Sequence, residues 1–263
     1  MLISIITINY NNLQGLKNTM NSVFEQSYKD IEYIIIDGGS TDGSKDFIES
    51  KKESLYYWVS EKDGGIYDAM NKGIDQATGN YLLFLNSGDW LVDKLVVEKF
   101  VNLKPIEDIV YGDPLVRNGS KWKRKSMPKE MNAVIALTNT LNHQAIFYSS
   151  NLTSDNFRYN TSYKVISDWI FTNDAIILKN GTTRYIDLLV SCFENPGISS
   201  DFSLRNKERK RYLKENFDPM FLNLLKEYKL IRNQHNSLKN SFLVRIMVKM
   251  LQKKGQFIQY FKK

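Results

Sequence analysis

Two short apolar runs, each ending in a cluster of acidic and small polar residues, constrain the fold of this chain most strongly. They are YIIIDGGSTDGS at residues 33–44 and YLLFLNSGDW at residues 81–90. Unbroken apolar runs of this length are typical of buried parallel strands. Ligands of open α/β sheets bind at the carboxyl ends of such strands, so we predict that Asp37 and Asp89 lie at a ligand site. Because no glycine-rich phosphate loop separates the runs, they favour a nucleotide held by its base, its ribose and a metal.

Predicted strands and helices alternate along the first 112 residues. Apolar runs predict strands at residues 3–8, 31–36, 56–60, 82–85 and 108–111. Apolar residues at helical spacing predict helices at residues 13–26, 64–77 and 91–101. Alternation of this kind favours an α/β fold with a mostly parallel sheet and helices on both faces.

The pattern is less regular after residue 112. Residues 117–129 are polar and basic, which predicts a hairpin followed by a mobile loop. Residues 145–148 and 185–190 are predicted to be strands, with a helix over residues 167–179 between them. The length of 263 residues suits one large domain, or one domain with an appendage.

Positive charge is concentrated in the last quarter of the chain. From residue 201 onward there are 16 Lys and Arg against 5 Asp and Glu, a net charge of +11, whereas the whole chain carries only +7. We therefore predict an enzyme domain over residues 1–200 and a basic helical extension over residues 201–263. Residues 237–254 combine a wide apolar face with a narrow basic stripe, which is typical of a helix lying on a membrane surface. Packing on its own domain or on a second subunit explains the same pattern, so a homodimer stays open.

Composition excludes several classes of protein. The single cysteine, Cys192, excludes an internal disulfide and fits a reducing compartment. No run of about 18 apolar residues occurs, so no membrane-spanning helix is expected. The N-terminus lacks the basic segment and cleavage site of a signal peptide, so we expect a cytoplasmic protein. His143 and His235 alone do not predict a structural zinc site, and a basic tail by itself does not indicate nucleic-acid binding.

Four stretches of the chain form a long, ordered set of motifs. They read ISIITINYNN, IIIDGGSTDGS, EKDGGIYDAMNKGIDQATGNYLLFLNSGDW and ISDWIF. Together they resemble family 2 glycosyltransferases of the GT-A fold, most closely the bacterial enzymes that build capsule, lipopolysaccharide O-antigen and exopolysaccharide. The resemblance implies an inverting hexosyl- or N-acetylhexosaminyl-transferase that uses a nucleotide-diphosphate sugar in one displacement. It also implies Mg²⁺ or Mn²⁺, and a glycan or polyprenyl-linked glycan as acceptor.

The resemblance further implies which residues bind the donor. Asp37 matches the aspartate that ends the second strand against the nucleotide base, and Asp68 and Asn71 match a segment over the nucleotide and diphosphate. The full set of implied nucleotide-sugar ligands is Thr7, Asn9, Tyr10, Asp37, Asp68, Asn71 and Ser87. Two of these aspartates have an alternative explanation. Asp37 is alternatively a turn residue that binds the amides after it, and Asp68 an exposed helix residue.

The string LNSGD at residues 85–89 matches the metal-binding region of the family, with a departure. Many relatives carry two aspartates one residue apart there, whereas this chain has Asn86 and Gly88 and keeps only Asp89 as an acid. One carboxylate with diphosphate oxygens and waters suffices to hold Mg²⁺, which usually keeps several waters. Asp89 is thus the implied metal ligand, or alternatively the cap of a helix predicted to begin near Trp90.

Asp168, in the string SDW, matches the family's general base on the acceptor side. Ser167 replaces the glutamate that many relatives carry before this aspartate. The alternative is that Asp168 caps the helix that follows. His143 and Trp169 are the other implied acceptor-side residues, although a lone histidine is equally often an ordinary core residue. A basic segment around Trp122 is either the acceptor entrance or an ordinary exposed loop.

Two classes of function therefore stay open. The leading hypothesis is an active transferase of cell-surface polysaccharide synthesis, peripheral at the inner face of the bacterial cytoplasmic membrane. The second is a nucleotide-sugar-binding protein of the same fold that has lost catalysis, which the weakened aspartate pair suggests. A nucleotidylyltransferase is disfavoured because TINYNN lacks a glycine-rich, basic signature, and a dinucleotide oxidoreductase because no G-x-G-x-x-G follows the first strand.

Overall fold

The computed structural model describes residues 1–194 and 202–240, and it places nine strands in one sheet. The strands are β1 (Ile3–Asn9), β2 (Ile31–Asp37), β3 (Tyr57–Ser60), β4 (Tyr81–Phe84), β5 (Trp90–Leu91), β6 (Ile109–Asn118), β7 (Lys121–Arg124), β8 (Ile146–Ser149) and β9 (Thr183–Glu194). The α-helices of the described residues are α1 (Leu13–Phe24), α2 (Ser44–Glu49), α3 (Ile66–Gln76), α4 (Val96–Asn102), α5 (Ala133–Thr138), α6 (Ser167–Ile177), α7 (Phe202–Asn216) and α8 (Pro219–Asn240).

The strand order divides the sheet into a parallel half and a mixed half. The order is β3-β2-β1-β4-β8-β6-β9-β5, and β7 pairs with β6. β1 pairs in parallel with β2 and β4, and β2 pairs in parallel with β3. β8 runs antiparallel to both β4 and β6, whereas β6 and β9 are parallel. The predicted α/β class is confirmed, and the sheet is mixed because the hairpin β6–β7 and the reversed strand β8 interrupt the strand–helix–strand pattern.

Apolar side chains on both faces of the central strands build the core. Ile5 of β1 packs with Met20 of α1 on one face, and Ile6 packs with Met70 of α3 on the other. Successive residues of a strand point to opposite faces. Because helices cover both faces, the strands are unbroken apolar runs rather than alternating ones. This packing brings the carboxyl ends of β1, β2 and β4 to one edge of the sheet, where the polar motifs follow.

The helix predicted over residues 91–101 is wrong at its start. Trp90 and Leu91 form the short strand β5, paired with Cys192 and Ser191 of β9, and α4 begins only at Val96. The apolar run was too short to distinguish a strand from a helix by its period alone. Asp89 therefore caps no helix, and that explanation of its presence is also wrong.

The hairpin predicted within residues 117–129 is confirmed as β6 and β7. The two strands join through Gly119, whose φ of 61° favours glycine. Arg117 is paired with Glu194, while Arg124 contacts Asp187 and the buried Asp113. Among the described residues, no carboxylate forms an ion pair with the remaining cations of residues 117–129, which are Lys121, Lys123, Lys125 and Lys129.

The chain divides into two compact units, Met1–Arg209 and Lys210–Lys263. The division falls within α7, nine residues after the predicted boundary. In the described part of the second unit, the Tyr212 and Phe221 rings each lie against the ring of Phe217. Of the amphipathic segment predicted over residues 237–254, the part beyond Asn240 lies outside the described residues. No helix among those the structure describes is both long and apolar enough to cross a membrane.

A buried carboxylate joins the first strands at the opposite edge of the sheet. Glu32 accepts hydrogen bonds from Ser4 Oγ at 2.6 Å and from the backbone N–H groups of Thr78 and Gly79 at 2.9 and 3.1 Å; Thr78 Oγ1 donates a further one. Burial by itself raises the pKa of Glu32, but these hydrogen bonds outweigh it and hold the pKa below its ordinary value. The charged form of Glu32 therefore stabilises the fold.

We expect Glu32→Gln to lower the free energy of unfolding by about 2 kcal/mol at neutral pH, because hydrogen bonds to a charged group contribute about 1.5–3 kcal/mol. Since the pKa is lower in the folded state, this contribution is complete above the ordinary pKa of 4.5 and is lost as the pH falls below it. Urea unfolding at pH 7 and at pH 3 measures the effect. The exposed Glu25→Gln is the control, and an equal loss in Glu32→Gln at both pH values would contradict the role of the charge.

Candidate functional site

The turn that follows β4 extends along the end of β1. Leu85 N–H donates to the carbonyl of Ile6 at 2.9 Å, and Ser87 N–H donates to that of Ile8 at 3.0 Å. Gly88 has a φ of 100°, which closes the turn in a conformation that favours glycine. Thr19 Oγ1 of α1 accepts from Gly88 N–H at 3.0 Å. The four residues of the NSGD string are thus held against the carboxyl edge of the sheet.

A chain of side-chain hydrogen bonds links the NSGD turn to the SDW motif. Asn86 Nδ2 lies 3.2 Å from His143 Nε2, and His143 Nδ1 lies 3.2 Å from Asp168 Oδ2. Tyr67 Oη donates to the other carboxylate oxygen, Asp168 Oδ1, at 3.2 Å. With Asn86 donating to Nε2, the proton of the neutral imidazole lies on Nδ1 and donates to Asp168. Residues that are up to 101 positions apart in sequence therefore meet at one carboxylate.

Charge and burial adjust both partners of the His143–Asp168 pair. Burial favours the uncharged form of each, but the hydrogen bond and the opposite charge outweigh it. As a result the pKa of Asp168 lies below its ordinary value, and the pKa of His143 lies above its own. Asp168 also accepts hydrogen bonds from Tyr67 Oη and the Trp169 backbone, which lower its pKa further. Its side chain is 20% exposed, so an ionised carboxylate faces the solvent side of this cluster at neutral pH.

Asp89 lies close to the same cluster but is bound differently. Its carboxylate accepts no hydrogen bond from the residues that the structure describes. Burial raises the pKa of Asp89 to about 7, and the nearby His143 charge opposes that rise. Two other oxygens of the turn, Asn86 Oδ1 and Ser87 Oγ, are buried without a hydrogen-bond partner in the described chain. Buried polar atoms normally find partners, so this turn offers two unsatisfied buried oxygens next to a carboxylate that accepts no hydrogen bond within the described chain.

The unsatisfied atoms of the turn are oxygens, which are the ligand type that a hard divalent cation prefers. Mg²⁺ binds oxygen ligands, often one or two carboxylates together with substrate phosphates and water. A cation near Asp89 would also favour its charged form, which burial disfavours. Among the described residues, no group of three or more His, Cys, Asp or Glu side chains could hold a metal. Asp89 would therefore act with the Asn86 and Ser87 oxygens rather than within a carboxylate cage.

The predicted nucleotide residues of β1 and β2 form an internal network. Asp37 is fully buried, and its carboxylate accepts from Asn9 Nδ2 at 2.7 Å, Ser60 Oγ at 2.6 Å, and the Ser40 N–H and Oγ at 2.9 and 2.5 Å. Burial alone raises the pKa of Asp37, but these bonds hold it below its ordinary value. Thr7 is buried and donates to the carbonyl of Leu85 at 2.8 Å. In this structure both residues fix the edge of the sheet, and their contact with a nucleotide stays a prediction.

Of the residues predicted to bind the nucleotide sugar, Tyr10 is the most open to solvent, at 68% exposure. Its ring borders Gly38, since a Cβ built there would lie 3.2 Å from Tyr10 Cδ2 and 2.7 Å from Asp63 Oδ2. Gly38 thus allows the ring and the Asp63 carboxylate to approach the backbone that follows Asp37. Asp63 belongs to the same edge of the site although sequence reasoning did not single it out.

Part of the α3 motif packs toward the residues around Asp168, and the rest faces solvent. Asn71 forms two hydrogen bonds with the backbone of Tyr159, donating to its carbonyl at 2.9 Å and accepting from its N–H at 2.8 Å. The Tyr159 ring stacks on Tyr67 with centroids 5.7 Å apart. Asp68 accepts from Gly64 N–H at 2.9 Å, as a first-turn residue of the helix. Tyr67, which bonds to Asp168, was missed because it occupies the apolar face of α3 and has the pattern of a core aromatic.

Trp169, the other predicted acceptor-side residue, is buried. Its Nε1 donates to the carbonyl of Asn139 at 2.9 Å, and the Arg209 guanidinium lies 4.6 Å from its ring. Trp122 of the basic hairpin is instead 39% exposed and meets Trp90 edge to face at 5.4 Å. The structure thus brings Asp168, His143 and Asn86 together, with Asp89 nearby. Trp169 is instead buried against Asn139 and Arg209.

Comparison with known sequences gives consistent matches over most of the chain. A family model described as Glycosyl transferase family 2 matches residues 4–168. An uncharacterized glycosyltransferase of Mycobacterium tuberculosis is 34% identical over 205 residues, which cover 75% of this chain and 77% of that protein. A PGL/p-HBAD biosynthesis glycosyltransferase of Mycobacterium bovis is 34% identical over 223 residues, covering 80% of this chain and 83% of that protein.

Solved structures match the fold. The crystal structure of S. aureus TarS 1–349 in complex with UDP-GlcNAc aligns with a TM-score of 0.67 at 19% identity, covering 92% of this chain and 75% of that one. The mannosyltransferase PcManGT from Pyrobaculum calidifontis, in complex with GDP-Man and Mn²⁺, aligns with a TM-score of 0.60 at 13% identity, covering 99% and 82%. At these identities the likeness concerns the fold alone, and the expected GT-A architecture is confirmed.

Proposed function

Because this chain belongs to glycosyl transferase family 2, we propose that it transfers a hexosyl or N-acetylhexosaminyl group from a nucleotide-diphosphate sugar, with inversion, to a glycan or lipid-linked glycan of the cell surface. The observation that carries the proposal is the hydrogen-bonded chain from Asn86 through His143 to Asp168. It joins the turn implied in metal binding to the carboxylate implied as general base. The relatives' names, which include PGL/p-HBAD biosynthesis, support the cell-surface context.

Asp168 is proposed as the general base. Its carboxylate takes the proton of the acceptor hydroxyl as that oxygen attacks the anomeric carbon, while the bond from this carbon to the diphosphate oxygen breaks. The electron pair of that bond leaves with the nucleoside diphosphate, and the new bond has inverted configuration. His143 and Tyr67 orient the carboxylate through their hydrogen bonds. A group that is ionised at neutral pH and half-buried suits this role, and general bases contribute about 10²–10⁴-fold.

Asp89, with the Asn86 and Ser87 oxygens, is proposed to hold Mg²⁺ or Mn²⁺ on the donor side. The neighbour PcManGT, in complex with GDP-Man and Mn²⁺, supports a divalent metal. Such a cation, when bound, neutralises charge on the departing diphosphate. The remaining implied donor ligands are proposed on the resemblance, and they are Thr7, Asn9, Tyr10, Asp37, Asp68 and Asn71. His143 and Trp169 are proposed to shape the acceptor side.

A second candidate is a nucleotide-sugar-binding protein of the same fold that has lost catalysis. The specific observation in its favour is that Asn86 and Gly88 replace acids, so that Asp89 is the one carboxylate of the turn. Turnover of a nucleotide sugar in the presence of Mn²⁺ would reject this candidate.

A thermal-shift screen of nucleoside diphosphates and nucleotide sugars tests the donor assignment. Ligands that bind only the folded state raise the Tm by mass action. We expect at least one uridine or guanosine diphosphate to stabilise the full chain more with Mn²⁺ than without it. If no nucleotide raises the Tm under either condition, both the transferase and the binding-protein proposals fail.

Tyr67→Phe tests the orientation of the proposed base. The variant keeps the ring that stacks on Tyr159 but loses the hydrogen bond to Asp168. Because that bond lowers the pKa of Asp168, its loss should raise the pKa and move the acid limb of the kcat/KM profile to higher pH. We expect the turnover at neutral pH to fall by about three- to tenfold, because a rate change of that size corresponds to the free energy of one such hydrogen bond. Tyr57→Phe is the matched control, and an unshifted acid limb would contradict the role of Tyr67.

We also propose that the basic C-terminal extension holds the enzyme at an anionic membrane surface. The net charge of +11 from residue 201 onward supports this, since each cation near such a surface contributes about 1 kcal/mol. Flotation of the full chain with anionic liposomes, compared with a chain ending after Arg209, is the test. Equal recovery of the two proteins would contradict membrane attachment, and a concentration-dependent dimer lost on truncation would favour subunit contact instead.

A further inference from the structure

The first turns of α7 are anchored to the rest of the first unit. Glu208 is buried, and its carboxylate accepts from the backbone N–H groups of Lys164 and Val165 at 2.8 and 3.0 Å. This anchor fixes the helix beside the SDW motif. Arg209 Nη2 donates to Thr140 Oγ1 at 2.5 Å, and its guanidinium packs over the ring of Trp169, the residue after the proposed base.

Arg205 and Arg209 lie four residues apart, so both occupy one side of the helix. Neither guanidinium forms an ion pair with a carboxylate in residues 1–194 or 202–240. The Nε atoms of both are buried and have no acceptor within that part of the chain. Two buried, unsatisfied donors on neighbouring like charges are costly for a fold.

Lys125, just after β7, is a third cation within electrostatic range of Arg205. Burial lowers the pKa of Lys125, and the Arg205 charge lowers it further. Burial likewise lowers the pKa of Arg209 to about 10, with a further contribution from Arg205 that Asp168 opposes. Arg205 is thus close enough to each of the other two cations to repel it.

We propose that Arg205 and Arg209, with the nearby charge of Lys125, form a binding site for a phosphate group carried by the acceptor, beside Asp168. Guanidinium groups bind phosphate oxygens with paired N–H donors, and lysine adds a point charge. A bound phosphate would supply the acceptors that both Nε atoms lack. The assignment to the acceptor rests on the proposed function, because Arg209 packs on the residue that follows the base rather than on the NSGD turn.

Calorimetric titration of the full chain with pyrophosphate, in the absence of divalent metal, tests the site. We expect Arg205→Gln and Arg209→Gln each to weaken pyrophosphate binding about tenfold, which corresponds to the loss of one charge-assisted contact. Lys207→Gln, an exposed cation on the same helix, should leave the affinity unchanged. Equal affinity in all four proteins overturns the proposal. Lys125→Gln provides the same test from another element if either arginine variant does not fold.

A second titration separates the two sources of phosphate. If the site serves the acceptor, Arg205→Gln should leave the affinity for nucleoside diphosphate with Mn²⁺ unchanged while pyrophosphate binding falls. If both affinities fall together, the acceptor assignment is overturned. These measurements need no sugar transfer, so a chain that binds pyrophosphate through its arginines but turns over no donor would refute the proposed function and leave the phosphate site standing.

Discussion

Asp168→Asn should reduce kcat by about 10²–10⁴-fold while the affinity for the nucleotide donor stays within about twofold, because general-base catalysis contributes that range of rate and not of binding. The amide keeps the shape of the carboxylate and can still meet Tyr67 and His143, so the fold should persist. It cannot take a proton from an acceptor hydroxyl. Steady-state kinetics with a nucleotide sugar identified by the thermal-shift screen, together with titration of the nucleoside diphosphate, provide both numbers.

The matched control for this change is Asp155→Asn. Asp155 is an exposed aspartate whose carboxylate pairs with Lys179 at 3.3 Å, and surface pairs of this kind contribute little. Its variant should retain the kcat of the wild type. A loss in Asp168→Asn that appears entirely in nucleotide affinity would contradict the role of Asp168 as base and move it to the donor side.

Asp89→Asn should lose the metal-dependent part of both binding and turnover. We expect kcat to fall by about 10²–10³-fold at a fixed Mn²⁺ concentration, because charge stabilisation by a bound metal contributes several kcal/mol. Burial raises the pKa of Asp89 to about 7, so the ionised carboxylate does not stabilise the metal-free fold. The variant should therefore keep its Tm without metal and lose the extra stabilisation that Mn²⁺ gives in the presence of nucleotide.

Asp93→Asn is the control for Asp89, since Asp93 is an exposed aspartate four residues later that pairs with Lys99 at 3.0 Å. Treatment of the wild type with EDTA should reproduce the Asp89→Asn phenotype, and added Mn²⁺ should reverse it only in the wild type. A variant that binds nucleotide with undiminished dependence on Mn²⁺ would place the metal ligands elsewhere.

The parallel half of the fold was predictable from the sequence because its strands are covered on both faces. Apolar runs such as residues 34–36 favour a buried strand, and their polar ends mark the functional edge. The mixed half was not predictable in the same way. The reversal of β8 and the pairing of β5 with β9 depend on contacts between residues far apart in sequence. Local spacing carries no signal for such pairings.

The candidate site shows the same division. Motifs indicated Asp168, His143 and Asp89 separately, but their meeting depends on how α6 and the turn before β8 pack against the sheet. Asp37 illustrates the opposite outcome, since its polar surroundings are supplied by Asn9, Ser40 and Ser60 within the chain. A sequence does not reveal whether an acid at a strand end is already satisfied internally.

Other residues were missed because their local patterns indicate ordinary roles. Tyr67 lies on the apolar face of α3, and nothing in its spacing indicates a hydrogen bond to a carboxylate 101 positions later. Arg205 and Arg209 belong to a highly charged helix, which usually indicates a solvated surface. The burial of their Nε atoms and the packing of Arg209 on Trp169 distinguish them from the exposed cations around them.

The anomer of the sugar first released from the donor tests the single displacement at Asp168 most directly. In the absence of acceptor, water takes its place, and proton NMR can follow the nascent sugar from an α-linked nucleotide donor before mutarotation. We expect the β anomer to appear first in the wild type and its rate of formation to collapse in Asp168→Asn. Initial release of the α anomer, or undiminished β release from the variant, would contradict an inverting reaction driven by this carboxylate.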